Sequence, residues 1–158
     1  MNIKETNFNL NIVLVEPYGP LNVGSIARLC SNFNVNQLRI VSPKCDIHSL
    51  ETKKMAIKGI KFIQECSLYE SLIDSVSDCD LVLATCGRID NSKEHKQDSL
   101  ENISTWIKNF KEVKNLAILF GREDKGLTNR ELLIAHKVFT INTHRNYPSL
   151  NLSHAVSI

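Results

Sequence analysis

The sequence predicts an α/β domain built on a mostly parallel sheet flanked by helices, and three observations lead there. Short apolar runs alternate with helix-like stretches about six times along the chain. The runs LVLAT (81–85) and LAILF (116–120) are continuously apolar, not alternating, as strands covered on both faces are. The chain has 158 residues, enough for one domain that removes roughly two thirds of its unfolded surface from water.

In order, NIVLVE (11–16) reads as the first strand and GSIARLCSNF (24–33) as its helix, with Asn22 placed ahead of that helix to cap it or to hold a phosphate. LRIVS (38–42) is a strand and LETKKMAIKG (50–59) a helix. KFI (61–63) reads as a short strand before a helix over SLYESLIDSV (67–76), whose start is marked by capping-box spacing at Ser67 and Glu70. DLVLAT (80–85) is a buried strand followed by a helix over SLENISTWIKNF (99–110). LAILF precedes a helix over NRELLIAH (129–136), and Thr128 and Glu131 have capping-box spacing at its start. VFTI (138–141) is the last strand. NLSHAVSI (151–158) opens an amphipathic helix with Leu152, Ala155 and Val156 on one side and stops after about two turns, too short to stand alone. The expectation is one domain over 1–158, truncated within its last helix.

Composition narrows the class. With 42% hydrophobic and 23% charged residues and no apolar run near about 18 residues, the pattern is that of a soluble domain without a membrane span. MNIKETNFNLN lacks an apolar signal core, so a cytoplasmic location is expected. A net charge of +2 permits nucleic-acid binding without arguing for it. The five cysteines form no CxxC pair and have no histidine at zinc-finger spacing, so neither a metal site nor a disulfide framework is expected. GxGxxG, GxxxxGK[ST], GxSxG and HExxH are all absent.

What remains is a set of polar loops at strand ends. Gly121 and Gly126 flank a turn carrying Arg122, Glu123, Asp124 and Lys125 directly after LAILF, and Thr85-Cys86-Gly87 ends DLVLAT in the same way. Open α/β sheets bind ligands outside the carboxyl ends of their strands, and glycines there let backbone pass close to a ligand. Any one of these loops alone reads as an ordinary strand-to-helix turn; three together point to a crevice. Arg28, a turn or so into the first helix, carries a guanidinium whose fork matches phosphate, although a lone helical arginine is more often a surface residue. Lys54, Lys58 and Lys61 recur at helical spacing, and Lys93, His95 and Lys96 lie beyond the Thr85-Cys86-Gly87 turn; each group is either a phosphate track or a solvated face. His144 and Arg145 precede the last polar loop.

The stretches NVGSIAR, LFGREDKGLTNREL and YPSLNLSHAV resemble the three motifs of the SpoU-type branch of the SPOUT methyltransferases. FGRED-GLTN together with LVEPYGPLNVGSIAR is most similar to the TrmJ-type tRNA 2′-O-methyltransferases, in register from about Ile12 to the last residue. The resemblance implies a C-terminal deep trefoil knot, a homodimer, S-adenosylmethionine as methyl donor and a ribose 2′-hydroxyl of RNA as acceptor, with tRNA at an anticodon-loop site of the position-32 type as the expected substrate. Carried over by motif, the catalytic set is Asn22, Arg28, Glu123, Ser149 and Asn151. The donor site is Thr85, Cys86, Gly87, Gly121, Ile141, Ser149, Leu150 and Asn151; the candidate RNA contacts are Arg28 and, by position just before the third motif, His144 and Arg145, which a polar surface loop explains equally. No metal is implied.

In such a transfer the 2′-hydroxyl must shed its proton, yet a guanidinium with a pKa above about 12 is a poor base. The expected role of Arg28 is to position the neighbouring phosphate and to stabilise developing alkoxide charge. Two other readings stay open from sequence: the sister activity on ribosomal RNA or the wobble ribose, and a catalytically idle RNA-binding or dimerisation module that keeps the scaffold.

Overall fold

A computed structural model describes residues 8–87, 97–144 and 146–158. Lys93, His95, Lys96 and Arg145 lie outside the described residues. The described elements are β1 (Asn9–Val15), α1 (Pro20–Asn32), β2 (Gln37–Val41), α2 (Leu50–Ala56), a 3₁₀ turn (Ile57–Gly59), α3 (Ile60–Gln64), β3 (Ser67–Tyr69), α4 (Leu72–Ser75), β4 (Leu81–Thr85), β5 (Gln97–Ser99), α5 (Leu100–Ile107), β6 (Asn115–Phe120), α6 (Asn129–Leu132), β7 (Lys137–Thr140) and α7 (Leu152–Ser157).

The strands form one sheet in the order β3-β2-β1-β6-β4-β7-β5, and every pairing between them is parallel. The α/β class with a mostly parallel, helix-flanked sheet is therefore as expected. The chain winds outward from β1 through β2 to β3, then returns to the other side of β1, so the order reverses between β1 and β6. In open parallel sheets a ligand crevice lies at such a reversal.

Both faces are covered. α1 buries Val23, Ile26, Ala27 and Cys30, an i, i+3, i+4, i+7 stripe, against β1 and β2. Gly24 is required in that packing, because a Cβ there would lie 2.3 Å from the Thr52 carbonyl oxygen of α2. α7 adds Leu152 to the same cluster. The opposite face is closed by Leu72 of α4 and Leu132 of α6, and the far end by Ile103 of α5.

Three local expectations fail, and one strand was unforeseen. KFI is not a strand: Phe62 and Ile63 lie in α3, and three apolar residues carry no periodicity that separates helix from strand. Ser67 caps nothing; it opens β3, where it pairs with Arg39 of β2, and the helix starts later, with Ser71 as cap accepting from the Asp74 N–H. β5 is an unforeseen edge strand of wholly polar sequence held on β7. α1 begins at Pro20, so Asn22 lies inside its first turn and is not its cap; Gly19 holds that position without any side-chain bond. Thr128 and Glu131, by contrast, form a full capping box on α6.

Candidate active site

The carboxyl ends of β4, β6 and β7 open into a cleft of about 1000 Å³. Its walls are Thr85-Cys86-Gly87 after β4, residues 120–129 after β6, Ile141 after β7, and Pro148, Ser149, Leu150, Leu152 and Ala155 from the last segment. Seven of the eight residues expected at the donor site line it; Asn151 does not. Thr85 is fixed by donating its hydroxyl to the Leu119 carbonyl at 3.0 Å, and the Cys86 N–H donates to the Phe139 carbonyl at 2.9 Å. Gly121 is essential to the wall, since a Cβ there would meet the Gly126 carbonyl carbon at 2.1 Å and the Leu127 nitrogen at 2.3 Å. Gly126, at φ +65°, closes the turn in the left-handed region. Arg122 and Gly126 exchange both backbone hydrogen bonds across it.

One hydrogen-bond chain joins the three polar motifs. The backbone N–H of Tyr18 donates to Glu123 Oε2 at 3.1 Å, and that of Gly19 to Oε1 at 2.9 Å. Glu123 thus puts a carboxylate at the N-terminus of α1, where the helix supplies no cap of its own and its dipole favours negative charge. The Asn22 amide donates to the same Oε1 at 3.1 Å, and its Oδ1 accepts from the Asn151 amide at 3.0 Å. Asn151 Oδ1 in turn accepts from the Ser153 N–H at 2.9 Å and its hydroxyl at 2.7 Å, capping α7. The direction of the chain is forced: a carboxylate only accepts and the helix N–H groups only donate, so each asparagine has one orientation.

Beside it stands a charged clamp that sequence reasoning passed over. Arg122 donates Nε to Glu16 at 2.7 Å and both terminal nitrogens to Glu131 at 3.0 Å each. It ties the end of β1, the loop after β6 and the start of α6. The Arg122 hydrogen bond holds the Glu16 carboxyl below its ordinary range. Burial pushes the Glu131 carboxyl up, but the bonds from Arg122 and the Thr128 N–H outweigh it and the net shift is downward. Glu131 raises the Arg122 pKa in return, ahead of burial, which lowers it. Three residues at i, i+9 and a strand end share no sequence pattern; only the capping box around Glu131 gave a hint.

Arg28, expected to contact RNA and not the donor, stands apart from the cleft. It lies in the third turn of α1, exposed, and it is not part of the cleft wall. Nor is Asn22 on that wall: it stands in the first turn of α1, behind Glu123, to which it donates. His144 is exposed and braces the last loop, accepting from the Asn146 N–H at 3.3 Å through Nδ1 and from the Tyr147 N–H at 3.0 Å through its carbonyl. Among the described residues there is no group of three or more His, Cys, Asp or Glu able to hold a metal, and no helix long and apolar enough to cross a membrane.

A model of the SpoU rRNA Methylase family matches residues 9–158. The curated tRNA (cytidine-2′-O-)-methyltransferase TrmJ of Sulfolobus acidocaldarius is 36% identical over 150 residues, which is 94% of this chain and 62% of that protein. Among solved structures, a probable methylase family protein from Haemophilus influenzae superposes with a TM-score of 0.84 at 31% identity, covering 96% of this chain and 63% of the other. TrmJ from Z. mobilis gives a TM-score of 0.82 at 27% identity, with 93% and 65% covered. The chain spans less than two thirds of the length of these relatives.

Proposed function

The chain belongs to the SpoU rRNA Methylase family, and from that premise we propose that it transfers a methyl group from S-adenosylmethionine to a ribose 2′-hydroxyl of tRNA, in the anticodon loop at a position-32-type site. The observation that carries the reading is the convergence of all three motifs on one place: the cleft and the Glu123–Asn22–Asn151 chain that backs it. The relatives named for tRNA 2′-O-methylation support the substrate.

The cleft suits the donor by its chemistry. Phe120, Leu127, Ile141, Leu150 and Leu152 offer apolar surface for a flat base, and Thr85, Ser149 and exposed backbone at Gly87 offer hydrogen bonds for a ribose and an amino acid. Gly121 keeps the wall clear of side chain where backbone already meets backbone. Thr85, Cys86, Gly87, Gly121, Ile141, Ser149 and Leu150 would hold the donor, with Asn151 bracing the wall from behind. When bound, S-adenosylmethionine would supply an electrophilic methyl group on a sulfonium.

The chain's own part is placement. Glu123 and Asn22 fix the start of α1, and α1 carries Arg28 at a set distance along a rigid helix. Arg28 positions the phosphate beside the target ribose and stabilises negative charge growing on the 2′-oxygen. Ser149 faces the reactants from the last loop. The same proposal covers a single SPOUT domain over 1–158, a C-terminal trefoil knot and a homodimer. In support, the segment after β7 returns along the cleft, α7 packs on α1, and Tyr18, Leu21 and Ile158 leave apolar surface exposed nearby.

The test is transfer of labelled methyl from S-adenosylmethionine to separate unmodified tRNA and rRNA pools, then digestion to nucleosides. Label in a 2′-O-methylnucleoside from tRNA is expected. Label only from rRNA would replace the substrate, and base-methylated product or none would overturn the reading.

A further inference from the structure

We propose that the kinked helical segment 54–61, packed on α1 at Arg28, is a docking ledge for the phosphodiester backbone of the RNA substrate. It rests on the reading above that the substrate is RNA. Lys54, Lys58 and Lys61 lie on α2, the 3₁₀ turn and α3 in succession, and all three are exposed. Lys54 and Lys58 pair with no acidic side chain among the described residues. Lys61 reaches only Glu65, at 3.8 Å, with both side chains about two thirds or more in solvent. Such a pair contributes little and is readily exchanged for a phosphate.

The backbone between them is held in an unfavourable state. Ile57 sits at φ 47°, ψ −117°, a conformation that a β-branched residue rarely adopts. The kink seats Gly59 directly on α1: a Cβ there would lie 2.5 Å from the Ala27 carbonyl oxygen and 2.6 Å from the Arg28 Cα. Lys58, the middle lysine of the run, is therefore next in sequence to the glycine that packs on the backbone of the proposed phosphate-positioning arginine. Ile57 is 54% exposed between the lysines, an apolar surface for ribose or base. Strained backbone gathers at binding and active sites, and here it shapes the exposed lysine-bearing segment that packs on α1 at Arg28.

The ledge predicts where RNA affinity resides. In filter retention of unmodified tRNA transcripts, the triple variant Lys54→Ala, Lys58→Ala, Lys61→Ala should bind about tenfold or more weakly near 0.1 M salt. Its log K against log salt should flatten by about two, since each lost phosphate contact removes roughly 0.7–0.9 of slope. A charge-matched control, Lys108→Ala, Lys111→Ala, Lys114→Ala, should retain the wild-type slope, and in turnover the ledge variant's loss should appear in KM for tRNA. Donor affinity, measured by calorimetry, should not move. Equal slopes for the two triple variants would overturn the ledge while leaving methyl transfer by the wild type intact. A wild-type chain that retains no RNA at all would overturn the ledge and the RNA reading together.

Discussion

At the residue scale, Asn22 shows how one amide can hold two loops in register. It donates to Glu123 and accepts from Asn151, whose partners lie 101 and 129 positions away in sequence. Because the three groups act as one chain, losing either asparagine should release the other. Asn22→Ala and Asn151→Ala should each cost about 1–2 kcal/mol in urea unfolding, and the double variant should cost clearly less than the sum. Strict additivity would mean that the contacts are independent. Arg28 is the opposite case, an exposed side chain on rigid backbone with no described ion pair. Arg28→Lys keeps the charge but loses the planar fork, so methyl transfer should fall by tenfold or more while calorimetric donor affinity stays at the wild-type value. Normal turnover in that variant would remove Arg28 from the mechanism.

At the element scale, the cleft wall depends on backbone meeting backbone between Gly121 and the Gly126–Leu127 peptide. Gly121→Ala should therefore destabilise the fold by about 1–3 kcal/mol and abolish donor binding by calorimetry, whereas Gly87→Ala, whose Cβ meets nothing within 4 Å among the described residues, should leave stability unchanged. How much of this was legible in the sequence follows from how local each cause is. Thr128 and Glu131 satisfy each other within one turn, so their spacing alone predicts the cap. Ser67 and Glu70 have the same spacing, but pairing of Ser67 with Arg39 takes that residue into the sheet. The polar β5 has no apolar pattern to read, and it is secured by the Lys137–Asp98 ion pair and by β7, elements beyond any local window. The start of α1 was misplaced after Asn22, although Pro20 occupies its first turn, where the missing N–H costs nothing. The cleft residues were legible through motif resemblance, because strand ends gather them; Arg122 was not, because Glu16 and Glu131 reach it from two other elements.

At the scale of the whole molecule, the reversal of strand order between β1 and β6 is bridged by charge as well as by hydrogen bonds. Glu123 crosses it to α1 and Arg122 crosses it to Glu16. This makes the fold's acid response a report on its functional end. The Glu16 and Glu131 carboxyls are held below their ordinary values, as are Asp78, by its hydrogen bond from Arg39, and Asp80, by the N–H groups of Asn115 and Lys114. A carboxyl with a depressed folded pKa stabilises fully above its unfolded value, near 4, and loses that contribution as pH falls through the folded value. Urea midpoints should accordingly be flat from about pH 7 to 5 and drop below about 4. Arg122→Gln removes the cause for two of the four carboxylates but not for Asp78 or Asp80. The variant should be less stable than wild type at pH 7, and the gap should narrow as pH falls below 4, because protonation takes from the wild type what the substitution has already removed. A gap that stays constant across that range would mean that Arg122 supports the strand reversal through packing alone, and that the Glu16–Arg122–Glu131 clamp is not electrostatic in its effect.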